Sequence, residues 1–141
     1  MRTLINMNFV NFYKTIKTIA IVGLSDKPDR PSYQVGKYLL NHGFKIIPVN
    51  PNIERVFGLK SFKSLKDIKE PVDVVDIFRK SEFVEPIVDE AIKIGAKTIW
   101  MQEGIENVKA AEKARKAGLV VVMNMCLMKE HKKNLSKGKD F

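Results

Sequence analysis

Apolar residues recur along this chain in five short runs, most of them separated by stretches of helical periodicity. The runs fall at residues 18–22, 45–49, 72–78, 98–101 and 119–122. Residues 32–41 place Val35, Gly36, Leu39 and Leu40 on one side of a helix that Gly43 stops. Ser81 stands where it would cap a second helix, with Glu82 and Glu85 in the first turn and Val84, Ile87, Val88 and Ala91 as its buried stripe up to Gly95. An alanine-rich helix follows at 107–117 and stops at Gly118. Strands alternating with helices predict a Rossmann-like α/β domain: a mainly parallel, doubly wound, five-stranded sheet in three α/β/α layers.

Pro48 cannot donate to a strand ladder, so the second strand is expected at an edge or irregular. The stretch around Gly58 reads as a loop with a short helical turn near Leu65. Phe9, Phe12, Tyr13 and Ile16 lie at helical spacing and suggest an extra helix before the first strand. Residues 127–135 predict a last short helix. The expected organisation is a helical extension at 1–16, one domain at 17–135 and a basic tail at 136–141.

Composition narrows the class. A chain of 141 residues can bury a core without disulfide or metal. No apolar run approaches the roughly 20 residues of a membrane span, and the start lacks the continuous apolar stretch of a secretory signal. The single cysteine, Cys126, excludes an internal disulfide and points to a reducing, cytoplasmic location. The net charge of +9 is first a solvated surface. Its densest stretch, from Lys129 to Lys139, has no interleaved aromatics, so a base-stacking nucleic-acid surface is not expected. Two histidines, His42 and His131, make no metal cluster of convincing spacing and no placed acid–base pair.

In such a sheet the ligand crevice lies at the carboxyl ends of the strands. The loop after the first run is Gly23-Leu24-Ser25-Asp26-Lys27-Pro28-Asp29-Arg30-Pro31-Ser32. A strand feeding a glycine and then a helix start suits a diphosphate, with Ser25 as a hydroxyl donor and Lys27 or Arg30 as charge. It is neither GxGxxG nor a Walker A loop, and a plain Gly-Ser turn fits as well. The second run ends Val49-Asn50-Pro51, with no acid before Glu54. A neutral Asn there fits a phosphorylated ribose, as in NADP or CoA, better than plain NAD; an Asn-Pro turn with no ligand is the other reading. Arg79 ends the third run, and Gln102-Glu103-Gly104 follows the fourth.

Taken in order, Ile21-Val22-Gly23-Leu24-Ser25 with a following Arg-Pro-Ser, Ile47-Pro48-Val49-Asn50-Pro51, Val75-Asp76-Ile77-Phe78-Arg79, Trp100-Met101-Gln102-Glu103-Gly104 and Cys126-Leu127-Met128-Lys129-Glu130-His131 resemble the small stand-alone CoA-binding proteins. These are similar to the N-terminal CoA-binding domain of the succinyl-CoA synthetase alpha subunit, and the resemblance spans about 17–134. It implies CoA or acyl-CoA as ligand, without the synthetase's catalytic domain or phosphorylated histidine. It places the phosphates near Gly23, Ser25 and Arg30, with Leu24, Ser32 and Tyr33 in the same loop and helix start. Adenosine would lie near Val49, Asn50 and Pro51, further contacts at Phe78 and Arg79, and the pantetheine arm toward Gln102 and Glu103.

Relatives often carry Asp-Arg-Cys before the last helix, where this chain has Asn124-Met125-Cys126. Cys126 reads either as a buried small hydrophobe or as a thiol near the ligand, able to form a mixed disulfide with the CoA sulfur. The expected function is thus CoA binding without catalysis, as a carrier or redox-responsive sensor. The competing expectation is a small nucleotide-dependent enzyme, either an NADP-type reductase or a CoA-dependent acyl enzyme. The sequence leaves open whether the chain forms a homodimer.

Overall fold

The computed structural model describes residues 9–138 of the chain. Five strands form one parallel sheet: β1 (Thr18–Val22), β2 (Lys45–Val49), β5 (Val74–Ile77), β6 (Thr98–Met101) and β7 (Val120–Val122), in the order β2-β1-β5-β6-β7. Between β2 and β5 a two-stranded ribbon is made by β3 (Arg55–Val56) and β4 (Leu59–Lys60). The helices are α1 (Phe9–Thr15), α2 (Pro31–Asn41), α3 (Val84–Lys93), α4 (Val108–Lys116) and α5 (Leu127–Gly138).

Alternation along each strand builds the two outer layers. Ala20, Val22, Val75, Ile77, Ile99 and Met101 point to one face, where they pack with Val84, Val88 and Ala91 of α3 and Ala110, Ala111 and Ala114 of α4. Ile19, Ile21, Val74, Trp100 and Val122 point to the other, against Phe12 of α1, Val35 and Leu39 of α2 and Leu127 of α5. Strands buried on both faces read as continuous apolar runs, which is why the runs stand out in the sequence. Asp76 interrupts this pattern. It pairs in register with Ile21 and Trp100, is fully buried, and neither carboxylate oxygen has a hydrogen-bond partner. Burial raises its pKa well above the ordinary carboxylate value and so favours the neutral form.

β2 lies at the edge of the sheet, so Pro48 costs no ladder donor; its carbonyl accepts from Phe62 N–H at 2.9 Å. The segment expected as a loop contains the β3–β4 hairpin. Its turn residues, Phe57 and Gly58, both have positive φ (56° and 75°), the backbone that a two-residue hairpin demands. Strand β5 is shorter than the apolar run at 72–78. Ser81 does not cap α3: it opens a 3₁₀ turn, Ser81–Phe83, and its hydroxyl accepts from Glu106 N–H at 3.1 Å. Asn107 does cap α4, accepting from Ala110 N–H at 3.0 Å, a contact worth about 1 kcal/mol. α5 runs past residue 135 to Gly138. The helix expected in the first 17 residues is present as α1 from Phe9, while residues 1–8 and 139–141 lie outside the described residues. No helix among the described residues is long and apolar enough to cross a membrane.

Candidate functional site

All five strands end at one edge, and the chain reverses its direction of travel there. From β1 it moves outward to β2, then crosses back to β5 on the other side of β1 and continues to β6 and β7. The loops leaving β1 and β5 therefore diverge, and the cleft between them is the topological switch point where such sheets bind ligands. Gly23 and Phe78 sit at its base. Gly23 has φ +88°, and a Cβ there would lie 2.4 Å from the Phe78 carbonyl oxygen. Only glycine permits this approach of two strand ends.

Two cavities open from this point and share Phe78 and Arg79. The first, of about 510 Å³, is bounded by Gly23, Val49, Asn50 and Pro51 on one side and by Lys63, Ser64 and Glu90 on the other. The second, of about 780 Å³, has mainly apolar walls, with Pro31, Val35, Phe78, Ile105 and Met128, and is also lined by Gln102, Glu103 and Cys126. Arg79 lies with its guanidinium 5.2 Å from the Phe83 ring centroid. Among the described residues no carboxylate pairs with Arg79 or Lys63, so both cations are available to an anion.

Asn50 is a brace as well as a wall. Its Nδ2 donates to the Leu24 carbonyl at 3.0 Å, and its Oδ1 accepts from Asn52 N–H at 2.9 Å. Its own N–H reaches the Phe62 carbonyl at 2.8 Å. A carboxylate in its place would have no donor for Leu24. The first loop is braced too: Ser25 N–H donates to Ser32 Oγ at 2.9 Å, and Lys27 N–H donates to Ser25 Oγ at 3.0 Å.

The loop before α5 is fixed against the end of β6. Trp100 Nε1 donates to the Met125 carbonyl at 2.8 Å, and Gly104 N–H donates to Asn124 Oδ1 at 2.6 Å. Asn124 has φ 58°, a left-handed conformation that Asn adopts readily. Cys126 thereby stands just before α5, free and buried, with its carbonyl accepting from Glu130 N–H. Lys129 pairs with Glu103 at 3.0 and 3.2 Å, and that carboxylate raises its pKa.

Of the residues expected from the sequence, the structure brings Gly23, Val49, Asn50, Pro51, Phe78 and Arg79 around the first cavity, and Phe78, Arg79, Gln102, Glu103 and Cys126 around the second. Five others lie off these walls. Leu24 is fully buried in the core, Ser32 is taken by Ser25, Tyr33 packs on Phe57 with ring centroids 4.8 Å apart, and Arg30 is exposed just before α2. Ser25 lies in the same braced loop. Lys63 and Ser64 were not singled out from the sequence, because they reach the cavity only through the β3–β4 ribbon.

A third cavity, of about 510 Å³, lies at the opposite, amino end of the strands, lined by Tyr13, Phe44, His42 and His131. There the Tyr38 hydroxyl and His131 Nδ1 are 2.7 Å apart; burial and the neighbouring His42 lower the His131 pKa and keep it neutral.

Comparison with known proteins gives a consistent picture. The family model described as CoA binding domain matches residues 17–132. The chain is similar to the Bacillus subtilis protein YneT, 41% identical over 82% of this chain and 85% of that protein. It is also similar to the alpha subunit of ADP-forming acetate–CoA ligase II of Pyrococcus furiosus, 31% identical over 84% of this chain, though it spans only 28% of that subunit. A solved protein structure from Pyrococcus horikoshii OT3 superposes with a TM-score of 0.89, at 40% identity over 96% of this chain and 97% of the other.

Proposed function

This chain belongs to the CoA-binding domain family, and from that membership we propose that it holds coenzyme A, or an acyl-CoA, across the crevice at the switch point. The phosphorylated adenosine and diphosphate occupy the first cavity, beside Asn50, Lys63 and Arg79. The pantetheine arm crosses at Phe78 and enters the apolar second cavity, with its sulfur toward Gln102 and Cys126. The observation that carries this reading is the pair of chemically unlike cavities joined at Phe78 and Arg79, where Gly23 lets the ends of β1 and β5 approach closely. CoA has the same asymmetry: a polyanionic nucleotide at one end and a neutral thiol arm at the other.

In this reading the protein is a binder and carrier, not a ligase. His42 and His131 lie at the opposite edge of the sheet from this crevice. The lone thiol fits a reducing, cytoplasmic compartment. Cys126 lines the second cavity, which also supports a redox-responsive role in which it forms a mixed disulfide with the CoA sulfur; intact mass under oxidising conditions tests that step.

Isothermal calorimetry tests the main reading. CoA is expected to bind at micromolar concentration or tighter, dephospho-CoA more weakly and NADP poorly. NADP binding as tightly as CoA would overturn it in favour of a reductase.

A further inference from the structure

The end of the second cavity is built for more than holding a thiol. Gln102 is 4% exposed, and its Oε1 accepts from Leu127 N–H at 3.1 Å. Because a backbone N–H can only donate, this bond fixes the amide orientation and leaves Nε2 as the outward end. That nitrogen makes no hydrogen bond among the described residues and is not enclosed by protein, so this nearly buried side chain presents an unused donor to the cavity it lines. Leu127 directly follows Cys126, and Gln102 and Cys126 line the same cavity. The N–H groups of Met128 and Lys129, in the first turn of the 12-residue α5, have no intrahelical acceptor.

A thiol that lines one cavity with a fixed amide donor and the unpaired N–H groups of a helix start is an arrangement that can receive a carbonyl whose oxygen becomes negative. We propose that the ligand class of this cavity is a short-chain acyl thioester of CoA, and that Cys126 takes the acyl group by thioester exchange. This rests on the CoA reading above. The Cys126 sulfur attacks the thioester carbonyl carbon and forms a new C–S bond. Gln102 Nε2 and the first-turn N–H groups hold the oxyanion. The C–S bond to CoA then breaks, and the departing CoA sulfur takes up the proton that Cys126 gave to solvent. One thioester replaces another, so no oxidant and no energy source is needed. Pro31, Val35, Ile105 and Met128 supply the apolar wall for the acyl chain.

The test incubates the full chain with butyryl-CoA in the presence of a phosphine reductant, which removes any disulfide, and follows intact mass and peptide maps. The expected product is one butyryl group on Cys126, released by neutral hydroxylamine and reversed by excess free CoA. Cys126→Ser should give none. Gln102→Glu keeps the acceptor for Leu127 N–H but removes the donor, and should slow acylation about 100-fold. Calorimetry with CoA on the same wild-type preparation separates the two claims. CoA binding without an adduct, or an adduct that resists hydroxylamine, overturns acyl transfer and leaves the binding reading standing. No CoA binding at all overturns both.

Discussion

On one side of Phe78 and Arg79 the crevice wall is mainly polar, with Asn50, Asn52, Lys63, Ser64 and Glu90; on the other it is mainly apolar, with Pro31, Val35, Ile105 and Met128 beside Gln102 and Glu103. The difference follows from how the two halves are built. The polar half comes from the connection that wraps the sheet edge, from Asn50 through the β3–β4 ribbon to Ser64. There the backbone must be satisfied by side chains such as Ser61, whose Oγ accepts from Asn50 N–H at 3.1 Å. The apolar half comes from the starts of α2 and α5 and the loop after β6, where the core rises to the surface. A ligand that fills both halves must itself change character along its length.

The most severe way to break this division is to block its junction. Gly23→Ala adds a Cβ against the Phe78 carbonyl and costs about 1–2 kcal/mol from backbone conformation alone. Loss of measurable CoA binding by calorimetry and a lowered melting temperature are both expected.

Next comes Arg79→Ala, which removes a cation common to both halves. Losing one charge-assisted hydrogen bond, about 1.5–3 kcal/mol, should weaken CoA roughly 10- to 100-fold, with Arg79→Lys recovering part. Lys63→Ala sharpens the comparison. Titrations should show it weakening CoA up to about tenfold while leaving binding of free pantetheine unchanged.

The smallest effect on binding is expected from Asp76→Asn, since Asp76 is buried within the sheet and lines neither cavity. Its effect belongs to stability. In the folded protein burial raises the pKa of this carboxyl well above its ordinary value, whereas the unfolded chain ionises it at the ordinary value. Its stabilising share is therefore complete in acid and is lost as pH rises from the ordinary carboxylate range through the folded value. Denaturant melts of Asp76→Asn should lack that decline.

Asp73 has the opposite sign. Burial works against its ionised form, but N–H groups of Thr18 and Lys17 and the Lys97 ammonium outweigh it and lower the pKa. Stability from Asp73 is lost as pH falls through its folded value.

Much of the sheet is legible in the sequence because strands buried on both faces leave unbroken apolar runs, and Pro48 narrows β2 to an edge or irregular position, of which the structure shows the edge. The ribbon is not legible: strands of two residues have no periodicity, and Phe57 at a positive φ carries no helpful propensity. Ser81 misleads because its serine-then-acid pattern imitates a cap, whereas its hydroxyl is used by Glu106 N–H across the loop. The same logic sorts the site. Gly23, Asn50, Arg79 and Gln102 are legible because parallel strands put their ends on one edge. Lys63 is not, since it arrives by a tertiary return. Tyr33 sits in the matching loop, yet its ring is spent on Phe57.

The central claim, one ligand laid across two unlike halves, is tested most directly by amide chemical-shift mapping with the two ends of CoA offered separately. Adenosine 3′,5′-bisphosphate should perturb Gly23, Asn50 and Lys63, pantetheine should perturb Gln102, Ile105 and Leu127, and intact CoA should perturb both groups. Both fragments shifting the same half, or shifts centred on Phe44 and His131 at the opposite edge, would contradict the account.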